Sequence, residues 1–243
     1  MRFPLSLQAD WLPSICEVCG GWPSQPICVA CTQRFAAPRL RCACCAAPMA
    51  VDTGRCGSCI TRIEPPAVGQ CVVAVDYAYP WDHIVAQFKF QQQPGWAQPM
   101  AALMLRTPRA RQLLSDCDAL VPVPLTPARL AMRGYNQSWE LVKALRQQAM
   151  RTQAQVAPPL RQALLRTGET PDQHSLSRDE RMRNLRGVFL VNPPELPGLA
   201  GSHVLLVDDV TTTGATLQAA GQALLAAGAQ RVSALVFART PAA

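Results

Sequence analysis

Val204-Leu205-Leu206-Val207-Asp208-Asp209-Val210-Thr211-Thr212-Thr213-Gly214-Ala215-Thr216-Leu217 decides the fold of this chain. The four apolar residues ahead of Asp208 suit a strand buried on both faces. They place Asp208 and Asp209 where that strand ends, on the ligand side of an open α/β sheet. Carboxylates there can accept hydrogen bonds from a ribose diol and help hold a hydrated magnesium ion. Thr212, Thr213 and Thr216 supply hydroxyl donors. Gly214 lets the backbone come close, and the helix that starts here aims unpaired N–H groups at a phosphate. These are the parts that a sugar phosphate requires. An ordinary turn from strand to helix rarely needs two acids and four threonines around one glycine.

In order and in context, the segment resembles the phosphoribosyl-pyrophosphate (PRPP) motif of type I phosphoribosyltransferases. The resemblance implies a PRPP site of Asp208, Asp209, Thr211, Thr212, Thr213, Gly214, Ala215 and Thr216. Asp208 and Asp209 would be the catalytic pair, and Mg2+ would accompany PRPP.

Downstream, residues 216–227 read as a helix stopped by Gly228, and residues 231–237 as a strand. Such a βαβ unit makes its two strands parallel. Upstream, residues 71–75 and 119–125 carry strand patterns, the second running into a proline-stiffened loop. Helical patterns cover 81–90, 98–105 and 137–150, the last with Trp139, Val142 and Leu145 on a core face. Residues 63–69, with Pro65-Pro66, read as a linker. The chain lacks both GxGxxG and GxxxxGK[ST], so dinucleotide-binding and P-loop readings have no support.

Eleven cysteines are present, nine of them before residue 60. Eight form four Cys-x-x-Cys pairs: Cys16/Cys19, Cys28/Cys31, Cys42/Cys45 and Cys56/Cys59. One tight turn presents both sulfurs of a pair to one metal, and two turns complete a tetrahedral thiolate site. Eight ligands imply two Zn2+ ions, with sequential and cross-braced pairing both open. A disulfide scaffold would need an oxidising compartment, and no export signal is evident. Sites filled by thiolate leave no place for water, so the zinc is expected to be structural. Cys44 reads as a bystander. Cys71 and Cys117 stand beside apolar residues as small buried hydrophobes.

The chain of 243 residues has 49% hydrophobic and 6% aromatic content, enough for one substantial core plus a small module. No apolar run is long enough to span a bilayer, and a cytoplasmic location is the default expectation. The net charge of +7 favours polyanionic partners. Only Lys89 and Lys143 are lysines, so the basic residues are almost all arginine, which suits bidentate phosphate contacts.

Three further blocks extend the pattern. They are Asp118-Ala119-Leu120-Val121-Pro122-Val123-Pro124-Leu125, then Arg133-Gly134-Tyr135-Asn136-Gln137, then a polar segment from Arg166 through Thr170, Gln173, Leu176, Arg178, Arg181 and Asn184 to Gly187 and Phe189. With the cysteine module in front, the chain resembles the ComF family of competence-associated phosphoribosyltransferase-like proteins. That resemblance implies an α/β protein: a type I phosphoribosyltransferase fold, its mostly parallel sheet flanked by helices, over residues 65–243. A double zinc ribbon over residues 1–64 would precede it. Val121, Pro122, Val123, Pro124 and Arg133 would form the pyrophosphate loop, although Leu125-Thr126-Pro127 replaces the Asp-Ser-Gly of related amidotransferases. Gln173, Arg178 and Arg181 would belong to a lid.

Two functions follow from the resemblance. One is a protein of DNA uptake and natural transformation that binds PRPP with Mg2+, with single-stranded DNA and a competence helicase as partners. The other is an active pentosyl transferase of nucleotide or amine metabolism, whose acceptor the chain does not identify. Thr212 stands where purine enzymes of the superfamily often carry an aspartate, which argues against a purine acceptor of that type.

Overall fold

The computed structural model describes residues 13–152, 155–167 and 187–241. The chain forms two compact units, Met1–Ala37 and Pro38–Ala243. The smaller contains helix α1 (Val29–Phe35) and a bridge in which Ser14 and Ser24 exchange backbone hydrogen bonds.

The larger unit opens with the short helix α2 (Gly57–Ile60) and is built on a four-stranded sheet. Its strands are β1 (Val68–Asp76), β2 (Ala119–Pro122), β5 (His203–Thr211) and β6 (Arg231–Arg239), in the order β1-β6-β5-β2. Every pairing is parallel. Between β1 and β2 lie helices α3 (Trp81–Phe90), α4 (Ala97–Arg106) and α5 (Ala110–Asp116). After β2 come α6 (Pro127–Arg133) and α7 (Gln137–Arg151). The strands β3 (Leu164–Arg166) and β4 (Phe189–Val191) pair antiparallel as a separate ribbon. Helix α8 (Leu196–Leu199) precedes β5, and α9 (Ala215–Ala226) links β5 to β6.

Alternate residues of a strand face opposite sides of the sheet. Val204, Leu206, Val232, Ala234 and Val236 share one core with Leu217, Ala220 and Leu224 of α9. On the other helices, α4 packs against α7, α7 against β5 and α4 against β6. Trp81 meets Phe237 edge-on, with ring centroids 6.0 Å apart. Central strands covered on both faces carry unbroken apolar runs, as Val204–Val207 of β5 and Ala234–Ala238 of β6 do. Among the described residues, no helix is long and apolar enough to cross a membrane.

Several expectations are corrected. Strand β5 does not end before Asp208: its pairing with β6 continues to Thr211 opposite Arg239. On its other side the ladder stops at Pro122 opposite Val207. The carboxylates therefore lie within β5, at the point where one of its edges becomes free. β1 begins at Val68, inside the stretch read as a linker. Trp139 is only half-buried beneath the Arg161 guanidinium, while Leu141, Val142, Ala144 and Leu145 form the core face of α7. Helices α5 and α6 and the β3–β4 ribbon add elements that short polar-rich sequences did not announce.

The second Cys-x-x-Cys group lies in the larger unit. Cys71 of β1, an edge strand, donates its N–H to Ala43 O at 2.9 Å. Asp76, at the end of β1, pairs with Arg41 at 2.7 Å and Arg39 at 2.8 Å. An uncovered edge invites pairing with another chain, and these contacts occupy it.

Candidate functional site

The site gathers where β5 passes the end of β2. Asp208 and Asp209 are 7% and 2% exposed. As neighbours on a strand they diverge. Asp208 Oδ1 accepts from Ser138 Oγ at 2.9 Å, at the start of α7, and from the Asp209 N–H at 2.9 Å. Asp209 Oδ2 lies 3.1 Å from Lys89 Nζ near the end of α3. That ion pair is off the direction of a hydrogen bond, and among the described residues Oδ2 has no hydrogen-bond partner. Burial, and then the charge of Asp209, push the Asp208 carboxyl from 3.8 up to about 7, although Lys89 and Ser138 oppose the shift.

The block Arg133–Gln137 forms the junction between α6 and α7. Gly134 closes α6 at a φ of +81°, a conformation open to glycine. Asn136 caps α7 by accepting from the Ser138 and Trp139 N–H groups. Its Nδ2 donates to Val123 O at 3.1 Å, tying the junction to the loop after β2. Tyr135 donates its hydroxyl proton to Phe88 O. The junction thus sets Ser138 against Asp208.

Arg133 is 9% exposed, and its guanidinium lies 5.4 Å from the Phe90 ring centroid. Among the described residues its Nε and Nη1 have no hydrogen-bond partner, and neither does Gln137 Oε1. Burial lowers the Arg133 pKa, against the fields of Asp209 and Asp208. A buried donor or acceptor without a partner costs about 1–3 kcal/mol, so such atoms gathered around two carboxylates mark a place prepared for a polar ligand.

Two further groups of residues read from the sequence adjoin β5. Val121 and Pro122 pair with Leu206 and Val207, and the Val123 N–H bonds to Val207 O at 3.0 Å, bringing Val121–Pro124 beside β5. Beyond Thr211, the loop holds exposed Thr212, half-buried Thr213 and Thr216, and buried Ala215. Gly214 begins α9 with φ +81°, and the Ala215 N–H bonds to Thr213 Oγ1 at 3.4 Å. Gln173, Arg178 and Arg181 lie outside the described residues.

Sequence reasoning missed Lys89, Ser138, Asn136 and Gln137 as site residues. A glycine followed two positions later by Asn and a helical pattern is a stop-and-restart signal, which would have found Asn136. Nothing near Lys89 in the chain points to Asp209.

The cysteines form two groups, Cys16, Cys19, Cys28, Cys31 and Cys42, Cys45, Cys56, Cys59, each with its sulfurs within 4.8 Å of one another. Pairing is therefore sequential rather than cross-braced. Cys19 and Cys28 sulfurs are 3.8 Å apart, and Cys45 and Cys56 sulfurs 3.7 Å. A tetrahedral zinc with ~2.3 Å bonds has edges of about 3.8 Å, whereas a disulfide bond is ~2.05 Å long. Both groups could hold zinc. N–H groups bond to Cys16, Cys28 and Cys42 sulfurs at 3.2–3.3 Å. Burial opposes ionisation of Cys16 and Cys42, but N–H groups outweigh it and bring them to about 6 and 7. Burial and neighbouring thiols push Cys31 and Cys59 up, so a cation is needed to ionise all four sulfurs of a group. Cys71 and Cys117 are buried, which holds both thiols protonated at about 12.

Comparison with known proteins gives this geometry its relatives. The Phosphoribosyl transferase domain family model matches residues 143–243. The DNA utilization protein YhgH of Escherichia coli K12 is 33% identical over 238 residues, 94% of this chain and 98% of that protein. Competence protein F of Haemophilus influenzae is 30% identical over 203 residues, 82% and 84% of the two chains. Among solved structures, the allosteric regulatory enzyme of purine biosynthesis superposes with a TM-score of 0.34. That match has 15% identity and covers 62% of this chain and 29% of that one.

Proposed function

The chain belongs to the ComF family, and on that premise we propose that it binds PRPP with Mg2+ and serves DNA utilization, in the setting of natural transformation. The observation that carries the PRPP reading is the convergence of Asp208 and Asp209 with the unpartnered atoms of Arg133 and Gln137, beside the Thr211–Thr216 loop. In this reading the carboxylates hold the ribose diol and the hydrated cation. Arg133 and the Val121–Pro124 loop hold the diphosphate. The loop and the start of α9 hold the 5′-phosphate. The eight clustered thiols hold two structural zinc ions.

Single-stranded DNA is the polyanion of this proposal, with a competence helicase beside it. A net charge of +7, carried almost wholly by arginine, supports a backbone-tracking surface. A steep fall of single-strand affinity with salt is expected, and a flat response refutes that part.

Turnover is the second reading, supported by the way Ser138 Oγ holds Asp208 in place. The acceptor would attack the anomeric carbon as diphosphate leaves, with Asp208 and Asp209 holding the ribose.

Calorimetric titration of the full chain with PRPP, with and without Mg2+, tests the binding. Binding that requires Mg2+ is expected, and no heat in either condition refutes it. Pyrophosphate release on screening bases and amines distinguishes turnover from binding alone.

A further inference from the structure

The second cysteine group borders the loop read as phosphate-binding. A small recess is lined by Arg62, Cys44 and Cys45 together with Thr211, Thr213 and Gly214. Arg62 follows the last cysteine of the group by three residues. The Thr61 N–H and Oγ1 both bond to Gly57 O, at 3.0 and 3.1 Å, so the cysteine turn fixes the backbone that carries Arg62. Arg62 is half-buried, and among the described residues its guanidinium makes no hydrogen bond or ion pair.

The loop itself contains no cation. Residues 211–216 offer hydroxyls and amides only, while Lys89 pairs with Asp209 and Arg133 is assigned to the diphosphate. A phosphate dianion on this loop lacks a countercharge from the motif. An arginine fork matches phosphate oxygens in pairs, and Arg62 lines the same recess as the loop.

We propose that Arg62 is a phosphate-binding residue, completing from the cysteine module the subsite that takes the 5′-phosphate of a pentose phosphate. The proposal rests on the PRPP reading and adds a contact from outside the phosphoribosyltransferase-like segment. It gives the second cysteine group a role in ligand affinity besides covering the edge of β1.

The test compares three probes by calorimetry on the full chain with Mg2+: PRPP, ribose 5-phosphate and inorganic pyrophosphate. Arg62→Ala is expected to weaken the first two about ten- to a hundredfold, the range for a charged hydrogen bond, and to leave pyrophosphate within twofold. Arg62→Lys should recover part of the loss, since a point charge replaces the fork. Zinc content should be unchanged in both variants. The proposal is overturned if ribose 5-phosphate affinity does not change, if pyrophosphate affinity falls equally, or if Arg239→Ala alone produces the loss. If the unaltered chain binds none of the three probes, the PRPP reading falls first and this inference with it.

Discussion

Strand β5 carries a buried polar cluster at each end, and the two are built differently. At the start, the His203 N–H donates to Asp118 Oδ2 at 2.8 Å. Its Nε2 lies 2.9 Å from Ser233 Oγ, and its Nδ1 lies 2.9 Å from Asp116 O and 2.8 Å from Arg231 Nη2. Either tautomer leaves both ring nitrogens with a partner. Near the other end, Asp209 Oδ2, Gln137 Oε1 and two Arg133 nitrogens have no hydrogen-bond partner among the described residues. A closed network stabilises a fold; an open one wastes desolvation unless a ligand completes it. The same strand therefore carries a satisfied cluster at its start and an unsatisfied one near its end.

The strongest challenge to that contrast is Asp208→Asn/Asp209→Asn. It should cost at least about a hundredfold in Mg2+-dependent PRPP affinity, or ~2.7 kcal/mol. Unchanged affinity in the calorimeter would remove the site assignment. Lys89→Met leaves Asp209 charged and buried without its cation, with only 3% of the carboxylate side chain exposed. Unfolding in urea should show a loss of ~3 kcal/mol, largely restored when Asp209→Asn is added. No restoration would mean that the pair is not the cause.

His203→Ala, at the closed end, should cost ~2 kcal/mol of stability and leave PRPP affinity within twofold. A large affinity loss would erase the distinction between the two ends. The pH dependence is a gentler probe. The Asp208 pKa is raised in the folded chain, from 3.8 to about 7, so folding favours its protonated form. Its contribution to stability is full below about pH 3.8 and is lost as pH rises through about 7. A ligand bearing Mg2+ favours the ionised form. Affinity should therefore rise with pH across that window, by at most about tenfold per unit, with proton release on binding. Equal affinity at about pH 6 and pH 8, with no buffer-dependent heat, would contradict it.

What could be read from the sequence followed locality. Asp208 through Thr216 and the Cys-x-x-Cys pairs place their chemistry within a few residues, where covalent geometry limits the outcomes. The Lys89–Asp209 and Ser138–Asp208 contacts span 120 and 70 residues, and no local pattern encodes them. Asn136 is intermediate: its capping role was written in the Gly134–Asn136 spacing, but its bond to Val123 O needed β2 in place.

By itself the sequence determined a parallel α/β core around β5, an acidic strand running into a glycine-started helix, and eight thiols in four turns. These depend on periodicity and short spacing, which a chain carries with it wherever it packs. The tertiary structure alone decided that the thiols group sequentially and that β5 runs past its carboxylates to Thr211. It also decided that Lys89 pairs with Asp209 and that Arg62 shares a recess with Thr211, Thr213 and Gly214. Those outcomes depend on which distant segments share the buried space, and on which polar atoms are left there without partners.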